Sequence, residues 1–217
     1  MTSGAFDGYW RRKQLLEAPP RFPVRRWWDG EALCDIERVY LAAIGAARTL
    51  LDVGAGDLRI RRRFQAAGFR GVYHTQDIGG EFNYDYASLE EVKQSYDAIL
   101  CLDVVEHIGL AGGLALLGRL IDLLTPGGVL IVQTPNARCI RHPSGWDMTH
   151  VHAYNAPDLW AWLTAQGLAC DGFRVRFGRP ARAPHTVLLE SLSAFVVTRL
   201  LGADYADNIA LIARKAR

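Results

Sequence analysis

The feature that most constrains the fold is the stretch 50–57, where an apolar segment runs into two glycines spaced one residue apart. The apolar part predicts a buried strand, and the amphipathic residues 58–67 that follow predict a helix capped by Asp57. Gly54 and Gly56 can adopt backbone dihedrals closed to other residues and let a ligand approach the backbone. The stretch therefore predicts either a ligand-binding turn or a plain strand-to-helix connection, and the rest of the chain decides between them.

Length, charge and cysteine content narrow the class of protein. The chain has 217 residues, 50% of them hydrophobic, and a formal net charge of +2, which predicts one α/β domain with an appendage and argues against a nucleic-acid partner. The four cysteines show no C-x-x-C spacing, which is typical of a reducing compartment. No signal peptide is apparent, and the apolar stretch 186–203 contains Glu190 and Arg199, so we predict a cytoplasmic protein without stable membrane insertion.

Strand and helix patterns alternate from residue 49 onward. Apolar strands separated by amphipathic helices predict an α/β fold with a mostly parallel sheet covered on both faces. The interval before 81–84 is too short for a crossover helix, so a strand there would lack its usual connection. Residues 1–46 read as an N-terminal helical cap, with one helix over 9–17 and a second beginning after Asp29, and residues 47–217 read as the main domain.

Polar residues follow several of the predicted strands, at the sheet edge where α/β proteins bind ligands. Asp77 lies 21 residues after Gly56, a position from which a carboxylate can accept the ribose hydroxyls of a nucleoside. The third glycine of a dinucleotide fingerprint is replaced by Arg59. The sequence therefore predicts a nucleoside site without a pyrophosphate clamp.

The glycine stretch 51–56, Asp77, the stretch 96–108 with its Asp-Val-Val-Glu-His run, and the stretch 124–136 with its Leu-Thr-Pro-Gly-Gly run together resemble class I S-adenosylmethionine-dependent methyltransferases. The resemblance is strongest to the branch of ubiquinone-biosynthesis-type and natural-product O-methyltransferases, and it covers residues 48–214. It implies a doubly wound, Rossmann-like sheet of seven strands with an antiparallel last strand. The chain departs from the family at Leu58, where many members have a third glycine, and in the short stretch after Asp77.

The resemblance also implies a set of cofactor-binding positions for S-adenosylmethionine. The methionine end would lie over Asp52 and the turn Gly54-Ala55-Gly56, and would pass along Leu102 and Asp103. The ribose would bind Asp77. The adenine would meet Ile78, Asp85 and Tyr86.

Histidines are the first candidates for the base that an oxygen acceptor needs, since their pKa lies near neutrality. We predict His150 first, then His152, with His107 as a third candidate. On an extended segment, His150 and His152 would point to the same side, and Asp147 could orient either ring. The same three residues could alternatively hold a metal ion, although we predict none.

We therefore predict a methyltransferase acting on a small molecule or a glycan, most readily at a hydroxyl. Methylation at nitrogen or carbon stays open. An oxidoreductase using a nicotinamide cofactor, a non-catalytic scaffold of the same fold and a homodimeric assembly are further alternatives.

Overall fold

A computed structural model describes residues 8–141, 145–180 and 183–217. Thirteen helices and strands follow one another in these residues, and short turns join most of them. In chain order they are α1 (Tyr9–Leu16), β1 (Val24–Trp27), α2 (Asp35–Ile44), β2 (Thr49–Val53), α3 (Arg59–Ala66), β3 (Val72–Gln76), β4 (Tyr96–Leu102), α4 (Leu110–Asp122), β5 (Leu124–Pro135), α5 (Ala156–Ala165), β6 (Ala169–Phe177), α6 (Pro184–Phe195) and β7 (Asn208–Arg214).

The strands form one seven-stranded sheet in the order β1-β6-β7-β5-β4-β2-β3. Neighbouring strands are parallel except around β7, which runs antiparallel to both β5 and β6. The prediction of a mostly parallel, doubly wound sheet with an antiparallel last strand is confirmed. The carboxyl ends of the six strands β1 to β6 consequently meet at one edge, which we call the carboxyl edge.

Helices cover both faces of the sheet, because the central strands are apolar on both sides. One core contains Leu51, Ile99 and Leu130 together with the inner faces of α4 and α5. The other contains Leu50, Leu100 and Ile131 together with α2 and α3. Among the described residues, no helix is long and apolar enough to cross a membrane.

The first strand corrects our prediction for the N-terminal segment. We predicted two helices and no strand in this segment, yet Val24–Trp27 pairs in parallel with β6 at the edge of the sheet. Pro23 disfavours a helix at this point of the chain. The residues after it include the β-branched Val24 and the aromatic Trp27, which favour a strand. The second helix begins at Asp35 rather than after Asp29, and Cys34 is its N-cap. The division at residues 46 and 47 stays a prediction.

A buried ion pair joins the N-terminal segment to the helix after the glycine turn. The Arg63 guanidinium contacts Glu37 Oε1 at 2.6 Å and Asp29 Oδ1 at 2.8 Å. Arg63 is 7% exposed and Glu37 is 1% exposed. Because a buried charge without a partner is costly, this pair fixes α2 against α3.

The short interval after β3 contains no strand at 81–84. The chain instead returns to the sheet through one isolated parallel bridge between Gln76 and Tyr86. Tyr86 N donates to Thr75 O at 3.0 Å. The seventh strand of the predicted sheet is therefore β1, and not the segment after Asp77.

Candidate functional site

The glycine turn at the end of β2 has one position, Gly54, where a larger side chain would not fit without a shift of the structure. Gly54 has φ +71°, and a Cβ there would lie 2.3 Å from Val104 Cγ2. Gly54 N donates to Gln76 O at 2.8 Å, and Ala55 N donates to the same oxygen at 3.1 Å. These bonds fold the turn over the carboxyl ends of β2 and β3, where the backbone is open to a ligand.

Asp77 lies directly beside this turn. Its carboxylate accepts the N–H of Gly56 at 2.8 Å and the N–H of Gly79 at 2.9 Å. Tyr84 closes the far side by donating its hydroxyl to Gly56 O at 2.8 Å. A carboxylate has about four acceptor positions, so Asp77 keeps capacity for hydroxyl donors. Ile78 follows it and is 93% exposed.

The start of α3 differs from our prediction. Leu58, rather than Asp57, is the N-cap, and Leu58 has φ +62°. Asp57 instead accepts Arg59 N at 3.0 Å, and its carbonyl accepts the Arg62 side chain at 2.6 Å. A left-handed leucine is uncommon, and it stands at the position where the resemblance given above implies a third glycine. The departure from the family pattern thus keeps the backbone shape that glycine would give.

Asp52 lies beneath the turn at the end of β2 and is 3% exposed. Its Oδ2 accepts the Tyr73 hydroxyl at 2.7 Å. Burial raises the pKa of Asp52 to about 7, and nearby Asp77 adds to this rise, while the Tyr73 hydrogen bond opposes it. Asp52 is therefore a carboxyl group that can change its charge near neutral pH.

Asp103 follows β4 with φ +56°, an uncommon conformation for a residue other than glycine. Its carboxylate accepts Gln133 Nε2 at 2.8 Å and Asn208 Nδ2 at 2.9 Å. Burial raises its pKa. Tyr40 in turn donates its hydroxyl to Gln133 Oε1 at 2.7 Å. We did not predict Tyr40, Gln133 or Asn208 as site residues, and a signal was available only for Gln133, a polar residue that follows the apolar run of β5.

The predicted adenine contacts Asp85 and Tyr86 are engaged elsewhere. Asp85 Oδ2 accepts both the backbone N–H of Thr75, at 2.8 Å, and the Thr75 hydroxyl, at 2.9 Å. Tyr86 packs against the core and its hydroxyl lies 3.3 Å from that of Tyr96. The structure therefore places both residues in the connection from β3 back to the sheet.

Two cavities open on either side of the glycine turn. The larger has a volume of about 580 Å³, and its lining includes Asp77, Ile78, Ser88, Leu89, Val104 and His107. The smaller has a volume of about 320 Å³, and its lining includes Trp27, Tyr40, Asp52, Arg59, Leu102 and Gln133. Gly54, Gly56 and Asp103 line both. The two cavities thus meet at the turn, and together their linings include all of the predicted cofactor positions except Asp85 and Tyr86.

His107 and His150 come together beside the larger cavity. Their ring centroids are 4.9 Å apart. His107 Nδ1 lies 2.8 Å from Thr149 Oγ1, which donates its proton to Asp147 Oδ1 at 2.7 Å. Because the threonine hydroxyl has one hydrogen, Nδ1 of His107 must be the donor toward it. The Nε2 atom of neutral His107 then carries the lone pair that a base requires.

Glu106 lies under this histidine pair and is 1% exposed. Its Oε2 accepts the Thr134 hydroxyl at 3.0 Å, whereas its buried Oε1 has no partner among the described residues. Burial, and secondarily Asp103, raises the pKa of Glu106 to about 8. One ligand atom each from Glu106, His107 and His150 lies within 4.8 Å of the others. This set, and not Asp147 with His150 and His152, has the spacing to hold a metal ion.

His152 is placed apart from the other two histidines. Its ring lies 4.6 Å from that of Tyr154, and it lines a separate cavity with Tyr9 and Lys13 of α1. Burial lowers its pKa. The segment is not a regular extended strand, because the backbone N–H groups of Val151 and His152 both donate to Glu106 O, at 2.8 and 3.1 Å. The predicted common direction of His150 and His152 is consequently not seen.

Comparison with known proteins gives the family. Residues 25–171 match the model of a methyltransferase domain. A ubiquinone biosynthesis O-methyltransferase from Dinoroseobacter shibae is 30% identical over 116 residues, which is 52% of this chain and 40% of that protein. The chain thus spans less than half the length of this relative.

Solved structures share the fold. A S-adenosylmethionine-dependent methyltransferase from Archaeoglobus fulgidus is 14% identical, covers 97% of this chain and 98% of its own, and has a TM-score of 0.61. An N1-methyltransferase from Burkholderia thailandensis, solved with S-adenosylhomocysteine, is 17% identical, covers 83% of this chain and 76% of its own, and has a TM-score of 0.55. With the family model spanning most of the sheet and the glycine turn, this chain belongs to the methyltransferase domain family, as a class I S-adenosylmethionine-dependent methyltransferase.

Proposed function

We propose that this protein transfers the methyl group of S-adenosylmethionine to a hydroxyl group of a small molecule or a glycan. The observation that carries the choice of oxygen is the His107–Thr149–Asp147 chain, because it sets a basic nitrogen beside the cofactor cavity. A hydroxyl must lose its proton during methyl transfer, whereas a neutral amine can attack without a base. O-methylation is also the reaction named for the relative from Dinoroseobacter shibae.

In this proposal the cofactor lies across the glycine turn and occupies both cavities. The adenosine half takes the larger cavity, with its ribose hydroxyls on Asp77 and its adenine between Ile78 and Leu89. Ser88 replaces the predicted Asp85 and Tyr86 as the neighbouring polar group. The absence of a phosphate in this cofactor suits a turn without a third glycine at position 59.

The methionine half takes the smaller cavity. Its ammonium group meets the carbonyl oxygens of Leu102 and Asp103, near the buried carboxyl of Asp52. Its carboxylate faces Arg59, whose guanidinium lies 5.6 Å from the Trp27 ring. This assignment gives each charge of the amino acid an opposite charge or dipole.

The protein's contribution to the reaction is to hold the acceptor in line with the sulfonium methyl and to remove its proton. Positioning of this kind supplies several kcal/mol. We assign the base to the His107–His150 pair and leave His152 outside the site. Asp147, acting through Thr149, holds His107 in the tautomer whose Nε2 accepts the proton.

A second arrangement uses the same residues with a divalent cation. The unpartnered Oε1 of Glu106 and the nearby nitrogens of His107 and His150 favour it. A cation bound there would lower the pKa of the acceptor hydroxyl directly. The two arrangements differ in their response to a chelator.

Cofactor binding is the first experiment. S-adenosylhomocysteine should raise the melting temperature, because a ligand that binds the folded state alone stabilises it. Asp77→Ala should weaken that binding by about 1–3 kcal/mol through lost charge-assisted hydrogen bonds. Asp85→Ala is the matched control, since it removes a carboxylate bonded to Thr75, so we expect lower stability with unchanged affinity.

Isothermal calorimetry checks both variants, and methyl transfer from labelled cofactor to panels of phenols, sugars and amines then identifies the acceptor atom. Equal affinity of Asp77→Ala and the parent protein would remove Asp77 from the site. Labelling confined to amines would overturn the choice of oxygen.

A further inference from the structure

The helix α6 exposes apolar side chains on the side that faces away from the protein. Leu188, Leu192 and Phe195 follow one another at helical spacing and are 69%, 57% and 56% exposed. The opposite side packs on the body through Glu190 and the buried Val197. An amphipathic helix of a globular protein normally packs its apolar side on the protein and exposes its polar side to solvent.

Further apolar side chains of the same helical segment are exposed. Val187, Leu189, Leu200 and Leu201 are each between 45% and 70% exposed. A one-turn π-helix, Val196–Leu200, prolongs α6, so the helical segment is about 25 Å long at 1.5 Å per residue. Exposed apolar surface of this kind marks a site of interaction with a protein or a membrane.

The side chains around α6 carry more positive than negative charge. Glu190 is paired with Arg26 at 2.6 Å and with Arg176 at 3.3 Å. Asp204 and Asp207, which follow the helix, are paired with Arg174 and Arg141. The nearby acidic groups are therefore already neutralised by arginines of the protein itself.

Three arginines remain at the ends of the apolar face. Arg179 precedes α6, and Arg199 and Arg138 lie at its other end, where Arg138 donates to Gly202 O at 3.3 Å. In the part of the chain that the structure describes, none of the three has a carboxylate partner within 4.0 Å. The face thus combines apolar side chains with unmatched cations at both ends.

We propose that α6 docks this protein on the surface of a membrane containing anionic lipids. An in-plane helix buries its apolar side at the boundary between headgroups and acyl chains, and cations beside it bind the lipid phosphates. The occupant is not a second copy of the chain, because two-fold pairing of this face would bring the arginines of both copies together without acidic partners.

The position of α6 gives the docking a consequence for the site. Glu190 binds Arg26 of β1 and Arg176 of β6, next to Trp27 and Phe177 at the carboxyl edge. A membrane bound to α6 therefore lies at the sheet edge that carries the glycine turn. The proposal does not depend on the acceptor or on the cofactor, since binding to lipid can be measured without either.

The test is flotation of the purified protein with vesicles. We expect it to float with vesicles of phosphatidylcholine mixed with phosphatidylglycerol, and to bind phosphatidylcholine alone much more weakly. Raising the salt from about 0.15 M to about 1 M should weaken the binding, because it screens the arginines. Replacing Arg199 by glutamine should weaken binding to the anionic vesicles and leave the weak binding to neutral ones unchanged.

The double variant Leu188→Ser/Leu192→Ser should lower vesicle binding by about tenfold or more, since both side chains insert into the lipid. Both positions are exposed, so we expect its melting temperature to stay near that of the parent. The matched control is Val72→Ser, which changes a 54% exposed side chain at the opposite edge of the sheet and should bind as the parent does.

Failure of the parent protein to float with anionic vesicles would overturn the proposal, and so would equal binding of the double variant. A parent dimer in solution that the double variant converts to a monomer, with no vesicle binding, would identify the face as an interface between copies instead. Binding that is equal for neutral and anionic vesicles would remove the role of the arginines and contradict an anionic partner.

Discussion

The glycine-turn side and the histidine side of the carboxyl edge differ in how their polar groups are held. Asp52, Asp77 and Asp103 accept hydrogen bonds from donors on the strands or on tight turns next to them. The His107 chain instead runs through Thr149 and Asp147, which lie outside every strand and helix. The sheet itself thus builds the side that we propose for the cofactor (the cofactor side), whereas a loop carries the side that we propose for the acceptor (the acceptor side).

The largest expected effect breaks the acceptor side and spares the cofactor side. Replacing His107 or His150 by alanine should lower turnover by about 10²- to 10⁴-fold, the range typical of a lost acid–base group. Affinity for S-adenosylhomocysteine should stay unchanged. Steady-state kinetics and calorimetry measure the two quantities, and His152→Ala is the control that should keep normal turnover.

A chelator separates the two chemical arrangements at this pair. If the histidines act as bases, activity survives chelation. If they hold a cation together with Glu106, chelation abolishes activity and an added divalent metal restores it. Full activity of both alanine variants would contradict either arrangement.

The next effect tests how rigidly the sheet builds the cofactor side. Gly54→Ala should destabilise the fold by about 3 kcal/mol, since it combines a left-handed backbone with overpacking against Val104. Gly118→Ala in α4 is the control, because no atom lies within 4 Å of its added Cβ. There we expect a gain of about 0.5–1 kcal/mol.

Urea unfolding measures both glycine variants. A Gly54→Ala protein as stable as the parent would show that the turn can move away from Val104. The cofactor side would then be as adaptable as the histidine side, and the contrast between them would disappear.

The smallest expected effect sharpens the electrostatic part of the comparison. The pKa of Asp52 is raised in the folded state to about 7, above its ordinary value, so the folded protein holds this proton more tightly than the unfolded chain. The stability contributed by protonated Asp52 is therefore present at low pH and is lost as the pH rises through about 7. Each pH unit costs at most about 1.4 kcal/mol.

Asp52→Asn should remove this dependence while keeping an acceptor for the Tyr73 hydroxyl. We expect the parent to lose free energy of unfolding between about pH 4 and pH 7, the interval between the ordinary pKa of 3.8 and the raised pKa of folded Asp52, and the variant to lose less. Urea titrations at a series of pH values check this. Parallel curves for the two proteins would show that Asp52 does not titrate in this range.

Much of the sheet was predictable, because central strands buried on both faces leave long apolar runs such as Ile99–Leu102. The edge strand β1 was not, since it is four residues long and contains Arg25 and Arg26. An edge strand needs neither apolar continuity nor length. The strand β1 forms because it pairs with β6, and no local sequence pattern indicates that pairing.

The site was predictable where a residue's role follows from its place at a strand end. Asp52 and Asp77 lie where the pattern put them, although their binding roles stay predictions. Asp85 lines neither cavity, because its carboxylate accepts two hydrogen bonds from Thr75. His152 lies apart from His107 and His150, because the backbone of its segment bonds to Glu106, and such long-range bonds leave no periodic signal in the sequence.

The ion pair of Arg63 has a consequence for the way this protein can change over evolutionary time. Its two carboxylates come from the N-terminal segment, and the arginine comes from the helix after the glycine turn. Loss of that segment would leave the buried Arg63 guanidinium without a carboxylate partner, and it would remove the edge strand β1 from the sheet. The loop that carries Asp147, Thr149 and His150 can therefore change in sequence independently. The N-terminal segment and the cofactor side must change together.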